Sequence, residues 1–275
     1  MKEGNHYCLV SVDMDGTLLM SDKTVHPDTV RDLDEAEKRG IAAAYCSGRS
    51  VAEIMPYRDV LPMIRYGILT SGAVVYDFQK MRSIFFRPVP QQYVELLVKT
   101  AERYRGMLHF LMEEESIVGA SDVTHMADFH MGVYQQTFHE VMRLVPSMAE
   151  EAKKPAGIAK LNIYFRSAED RQKACEELRH LPLTMIYSEE TSLEINAEGV
   201  TKALGLSVLC DHLGISMEET IGIGDSENDR AFLEAAGFSV AMGNAGESIA
   251  SICDAVTADN DHNGVGEALR KYCFT

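Results

Sequence analysis

Two carboxylates, Asp13 and Asp15, stand two residues apart at the end of an apolar run, and Gly16-Thr17 follows at once. Polar groups close or follow apolar runs at three more places: Ser47 with Gly48, Lys202, and Asp225 with Asn228 and Asp229. Asp13, Asp15 and Asp225 are hard oxygen ligands with no His or Cys partners beside them. Such a donor set suits Mg²⁺, which keeps several waters and is held by few carboxylates plus substrate phosphate. A lysine and a hydroxyl suit the remaining oxygens of a phosphoryl group. Phosphate monoesters hydrolyse so slowly unaided that a catalyst must remove on the order of 20 kcal/mol of barrier. Positioning, charge neutralisation and a covalent aspartyl-phosphate route together can supply that. Each group also has a plainer reading. Asp-x-Asp-Gly closes a strand as an Asx turn, Ser47 sits in a turn, Lys202 is a solvated helix lysine, and Asp229 is an acid in a first helical turn.

The flanking elements decide whether these groups can meet. Residues 7–12 are β-branched, aromatic and apolar without helical period, which predicts a buried strand ending at Asp13. Pro27 at a first helical position, Asp28 in the first turn and Gly40 at the end predict a helix over 28–39. Residues 41–46 form the next apolar run and end at Ser47. Short strands are expected at 66–70 and 73–77. After residue 190 the same texture returns. Strands are expected at 193–196, 220–224 and 238–242, and helices at 199–213, 245–251 and 265–272. Strand, helix, strand with short joins predicts an α/β fold, a parallel sheet wound by helices. Parallel strands end on one edge of the sheet, where such folds place their ligands, so the four groups are expected to converge there.

Between the two halves the texture differs. Arg87-Pro88-Val89-Pro90 is a stiff joint, and beyond it strand-like and helical stretches alternate irregularly. The expected organisation is a core domain over 1–84 and 190–275 with an α+β insert over 85–189. His109, His125, His130 and His139 lie in the insert at spacings that match no metal pattern, so core or surface placement is expected for them.

Whole-chain properties narrow the partners. With 275 residues, 46% apolar and 25% charged, the composition is that of an ordinary globular protein with ample core. The net charge of −16 argues against nucleic acid, whose phosphates need a basic face. An anionic substrate therefore needs local positive charge from a metal, a lysine or a helix N-terminus. Six cysteines show no metal or redox spacing. No signal-peptide core and no uncharged apolar run long enough for a membrane helix are present. A cytoplasmic protein without membrane or nucleic-acid partners is expected.

In order and spacing, DMDGTLL, CSGR, the lysine of GVTKALGL, and GIGDSENDRAFL resemble the four motifs of the haloacid dehalogenase-like phosphatase superfamily. The large insert between the second and third motifs is similar to that of the Cof-type sugar-phosphate phosphatases, which carry an α+β cap. The resemblance spans the chain. It implies a Rossmann-like core with an inserted cap that closes over the substrate, and Mg²⁺-dependent hydrolysis of a small phosphorylated metabolite. It implies Asp13 as nucleophile and Asp15 as general acid and then base, with the Asp15 backbone carbonyl on Mg²⁺. Ser47 and the Gly48 N–H would bind phosphoryl oxygens, Lys202 would neutralise charge, and Gly16 and Thr17 would shape the phosphate loop. Asp225 would ligate the metal, supported by Asp229, with Asn228 near by. Ser47 stands where Thr is frequent. Ser71 stands in Thr70-Ser71-Gly72-Ala73 where many relatives carry Asn, and His262-Asn263 replaces a more usual acidic pair. A phosphomutase of the same fold, or a non-catalytic metabolite-binding or regulatory protein, are the alternatives.

Overall fold

Leu9, Val10, Ser11 and Val12 are all fully buried, as a strand covered on both faces must be. In the computed structural model, which describes residues 7–154, 157–187 and 190–274, this strand lies inside an eight-stranded sheet. In chain order the strands are β1 (Leu9–Val12), β2 (Ala42–Cys46), β3 (Tyr66–Leu69), β4 (Val74–Asp77), β5 (Arg82–Phe86), β6 (Met107–Leu111) and β7 (Ser116–Gly119). There follow β8 (Arg143–Val145), β9 (Lys160–Tyr164), β10 (Leu183–Ile186), β11 (Ser192–Ala197), β12 (Thr220–Gly224), β13 (Phe238–Ala241) and β14 (Ala255–Val256). The chain divides into two compact units. One comprises the residues up to Gly48, Pro56–Phe85, and those from Thr201 on; the other comprises Arg49–Met55 and Phe86–Val200.

The first unit's sheet runs β14-β13-β12-β1-β2-β3-β4-β5. Its pairs from β14 through β3 are parallel, and β3–β4 is antiparallel. The chain builds outward from β1 through β2 and β3, then returns to β1's other side with β12. The order therefore reverses between β1 and β12, which makes the crevice beyond their carboxyl ends the binding position in this class of sheet. The helix Pro27–Lys38 buries Thr29, Leu33 and Ala36, one face at helical spacing. Its first turn is capped by the His26 side chain accepting from Asp28 N–H, close to the expected 28–39 span.

The second unit holds a six-stranded sheet in the order β10-β11-β9-β6-β7-β8. Here the sequence expectation is corrected. The sequence predicts residues 193–196 in the first sheet and an insert that ends at 189. Instead β11 pairs antiparallel with β9 and β10, and the second unit runs to Val200. The reason lies in the alternation. Leu193 and Ile195 enter the second unit's apolar core, while Ser192, Glu194 and Asn196 take the opposite face. β2 and β3 of the first sheet lack this alternation, whereas β9 shares it with β11. Arg49–Met55 also belongs to this unit. Ser50 caps the short helix Val51–Ile54 in a box with Glu53 and accepts from the Ser116 hydroxyl at 2.8 Å. Of the four histidines, His109 is buried between Phe138 and Tyr164, and His125, His130 and His139 are exposed.

Candidate active site

Asp13 is the first residue past β1, and its N–H donates to the Ile223 carbonyl of β12 at 2.9 Å. That bond extends the parallel ladder by one residue and fixes Asp13 at the reversal point. Gly16 then turns the chain with φ +83, a conformation glycine adopts without steric cost. A Cβ there would lie 2.5 Å from an Asp225 carboxylate oxygen, so Gly16 is required by space as well as by conformation. The bend brings Thr17 to donate its hydroxyl to Asp225 Oδ1 at 2.8 Å. Asn244, just past β13, donates to the Gly16 carbonyl at 2.8 Å and pins the same loop.

Asp225 follows β12 as Asp13 follows β1. The loop after it is folded around Asp229, which is fully buried. Asp229 Oδ2 accepts from the N–H groups of Asp225 and Ser226, each at 3.1 Å, and its Oδ1 accepts from Lys202 Nζ at 2.5 Å. Both oxygens are thus engaged. Ser226 Oγ donates to Asn228 Oδ1 at 3.0 Å, and Lys202 Nζ reaches the same oxygen at 3.4 Å.

Lys202 does not follow a strand of this sheet, as its sequence position suggested, because β11 lies in the other sheet. It is the first residue of the helix Lys202–Leu213, whose N-cap Thr201 accepts from Leu204 N–H. A cation at a helix N-terminus opposes the helix dipole. The opposition is overcome by two carboxylates. Lys202 Nζ donates to Asp13 Oδ1 at 2.7 Å as well as to Asp229, and the ammonium is buried. Burial works against its charge, but Asp13 and Asp229 outweigh that and hold it protonated well above the ordinary lysine range.

The carboxylates are in the opposite position. One oxygen each from Asp13, Asp225 and Asp229 lies within 4.8 Å of the others. Burial, then the Asp229 charge, pushes Asp13 well above the usual carboxylate range in spite of Lys202. Burial likewise raises Asp225 to about 6, against the lowering effect of the Thr17 hydroxyl. Three acids facing one ammonium leave the pocket short of positive charge, which is the condition of a cation site.

The remaining expected residues divide. Ser47, past β2, is buried on the same sheet edge. Its N–H donates to the Ile68 carbonyl at 2.8 Å, and its carbonyl accepts from Ser71 N–H at 3.1 Å. Gly48 follows it, half-buried. Asp15 contributes no oxygen to the acidic cluster. Its side chain, 40% exposed, pairs with Lys23 at 2.8 Å. Sequence reasoning passed over Asn244 and Lys23. Asn244 was findable, since it follows a strand of the same sheet. Lys23 was not, because only the turn over Met20–Thr24, where Lys23 takes φ +66, brings it back to Asp15.

A sequence model described as haloacid dehalogenase-like hydrolase matches residues 10–269. The chain belongs to this family. A phosphatase of Bacillus subtilis, YwpJ, is 28% identical to it over 95% of this chain and 98% of its own length. YcsE of the same organism, a 5-amino-6-(5-phospho-D-ribitylamino)uracil phosphatase, is 27% identical over 96% and 95%. The solved structure of a haloacid dehalogenase-like hydrolase from B. subtilis superposes with a TM-score of 0.85 at 27% identity, covering 96% of this chain and 99% of that one. Family and relatives together make the chain a phosphoric monoester hydrolase, with the mixed α/β architecture read from its sequence.

Proposed function

We propose that this protein is a Mg²⁺-dependent phosphatase of a small phosphorylated metabolite, a sugar phosphate or similar monoester, working through an aspartyl-phosphate on Asp13. The observation that carries the reading is the placement of Asp13 at the sheet's reversal point, one oxygen on the buried Lys202 and Asp225 across the crevice. Lys202 holds Oδ1, so the other oxygen is assigned to attack on phosphorus. The new Asp13–phosphorus bond forms as the bond to the leaving oxygen breaks, and Asp15 gives that oxygen its proton. Asp15 then takes a proton from water, whose oxygen displaces Asp13 and releases inorganic phosphate. Ser47 and the Gly48 N–H are assigned to phosphoryl oxygens, with Lys202 countering their charge. Gly16 and Thr17 shape the loop beneath them.

The donor set fits a divalent cation, because its buried carboxylates outnumber the ammonium that faces them and are pushed toward the protonated form without one. Asp13, Asp225 and the Asp15 backbone carbonyl would hold Mg²⁺, which when bound neutralises phosphoryl charge. Asp229, with both oxygens engaged, supports the set and orients Lys202. Asn228 steadies the same ammonium. The relative named for a phosphorylated ribitylaminouracil supports a small phosphometabolite as the substrate class.

The test is direct. Purified protein with Mg²⁺ is expected to release phosphate from an aryl phosphate and from members of a phosphometabolite panel, and EDTA is expected to stop it. Asp13→Asn is expected to abolish turnover; full activity in that variant would sink the mechanism.

A further inference from the structure

Thr70, Ser71 and Gly72 join β3 to the antiparallel β4 with three successive positive φ angles, +48, +60 and +99. Two of the three are not glycine, and Thr70 is β-branched, for which this region is a genuine outlier. Both are buried, so the bend is not a surface turn free to relax. Asn and Gly adopt this region most cheaply, and Thr70 and Ser71 are neither. Backbone held in such a region persists only when its surroundings over-determine it, and such sites cluster where function is built.

The surroundings are two parts of the active site. On one side the bend and β3 hold Ser47 by its backbone: Ser71 N–H donates to the Ser47 carbonyl at 3.1 Å, and Ser47 N–H donates to Ile68 at 2.8 Å. On the other side Gly72 is pressed against the first turn of the Lys202–Leu213 helix. A Cβ on Gly72 would lie 2.0 Å from the Thr201 carbonyl oxygen and 3.1 Å from the Lys202 nitrogen. The helix gives way in return at Gly205, where a Cβ would meet the Ile68 side chain at 2.4 Å and the Gly72 Cα at 3.2 Å. Two glycines face each other across this contact, and both are needed for the approach.

From this we infer that the Thr70–Ser71–Gly72 bend is a positioning element. It sets the spacing between Ser47 and the helix start that carries Lys202, so that hydroxyl and ammonium address one phosphoryl group. The inference rests on the phosphatase reading of those two residues. None of the bend's residues is assigned a contact with substrate; they act through Ser47 and Lys202.

Gly72→Ala and Gly205→Ala press on the contact from its two sides, and the second replaces a helical glycine with a residue of better helix propensity. Gly214→Ala is the control. It lies at the far end of the same helix with φ +70 and nothing within 4 Å of an added Cβ, so it carries the backbone penalty without the collision. The readouts are kcat on two phosphate esters with unrelated leaving groups, and calorimetric binding of inorganic phosphate with Mg²⁺, each well below the variant's melting temperature. Both contact variants are expected to lose about 10- to 100-fold in kcat, the scale of a displacement near 1 Å. The loss is expected to be equal on the two esters, with weaker phosphate binding, while Gly214→Ala stays within about twofold.

Wild-type kcat and phosphate affinity in a folded Gly72→Ala or Gly205→Ala protein would overturn the inference. So would an equal loss in Gly214→Ala, which would assign the effect to strain alone, or a loss confined to one ester. If Gly72→Ala does not fold, Gly205→Ala decides. A wild-type protein that hydrolyses neither ester would count against the phosphatase reading, and phosphate binding would still report on the bend.

Discussion

Asp13 shares the buried Lys202 ammonium with Asp229, and the consequences can be measured in both directions. Its carboxyl is held above the value it has in the unfolded chain, so as pH rises the unfolded chain releases this proton first. Above the unfolded value, near pH 4, the Asp13 charge therefore lowers the stability of the metal-free protein. Asp13→Asn is expected to raise the melting temperature in EDTA by about 2 °C or more, with that advantage shrinking when Mg²⁺ stabilises the wild type by mass action. Thermal scans of both proteins with and without Mg²⁺ check this. Lys202→Met removes the ammonium and leaves two buried carboxylates facing each other. A loss of about 3–5 kcal/mol in urea denaturation is expected, together with loss of turnover. At this scale the types and order of Asp13, Ser47, Lys202 and Asp225 were legible in the sequence. The engagement of both Asp229 oxygens and the pairing of Asp15 with Lys23 were not, because they depend on loop conformations with no period to read.

Within the second unit's sheet, β6 sets His109 opposite Asn162 of β9, on the face away from the main apolar core. Burial holds the imidazole neutral, lowering its pKa from 6.5 to about 4. In the unfolded chain His109 takes up a proton as pH falls through 6.5; in the folded chain it does so only near 4. Stability contributed by the neutral form is therefore full above about pH 6.5 and lost across the window down to about pH 4, at most about 3 kcal/mol. Denaturant midpoints at pH 7.5 and 4.5 are expected to differ less in His109→Phe than in the wild type. An equal difference in the two proteins would show that other groups govern the acid limb. β6, β7, β9 and β10 are legible as strands, but β8 lies in a stretch whose pattern reads as helical, and the sequence places β11 in the wrong sheet. Its alternation of Leu193 and Ile195 with Ser192, Glu194 and Asn196 carried the information, and a four-residue window was too short to weigh it against β2 and β3 of the first sheet.

The whole molecule carries a net charge of −16, and its proposed substrate is an anion. Long-range repulsion then opposes encounter, while the attraction of Lys202 and a bound cation acts only at short range. Raising NaCl from low to physiological ionic strength, at fixed Mg²⁺ activity, is expected to increase kcat/KM for a dianionic ester by about twofold or more, because the screening length falls to about 8 Å. A steady fall with salt would show that a positive local field dominates encounter. Among the described residues no helix is long and apolar enough to cross a membrane.

By itself the sequence determined the family and the α/β class: hard oxygen donors, one lysine and one hydroxyl in an order that matches one family, and apolar runs that predict a parallel sheet. Those are properties of residue type, local period and spacing, and they survive without knowledge of the fold. Only the tertiary structure decided how the groups are held. The β1–β12 register places Asp13 at the reversal point, Gly16 makes room for Asp225, and the buried bend at Thr70–Gly72 stands between Ser47 and Lys202. Each of these is a contact between segments tens to hundreds of residues apart. Their geometry is set by packing and by which atoms exclude one another, and no local pattern encodes that.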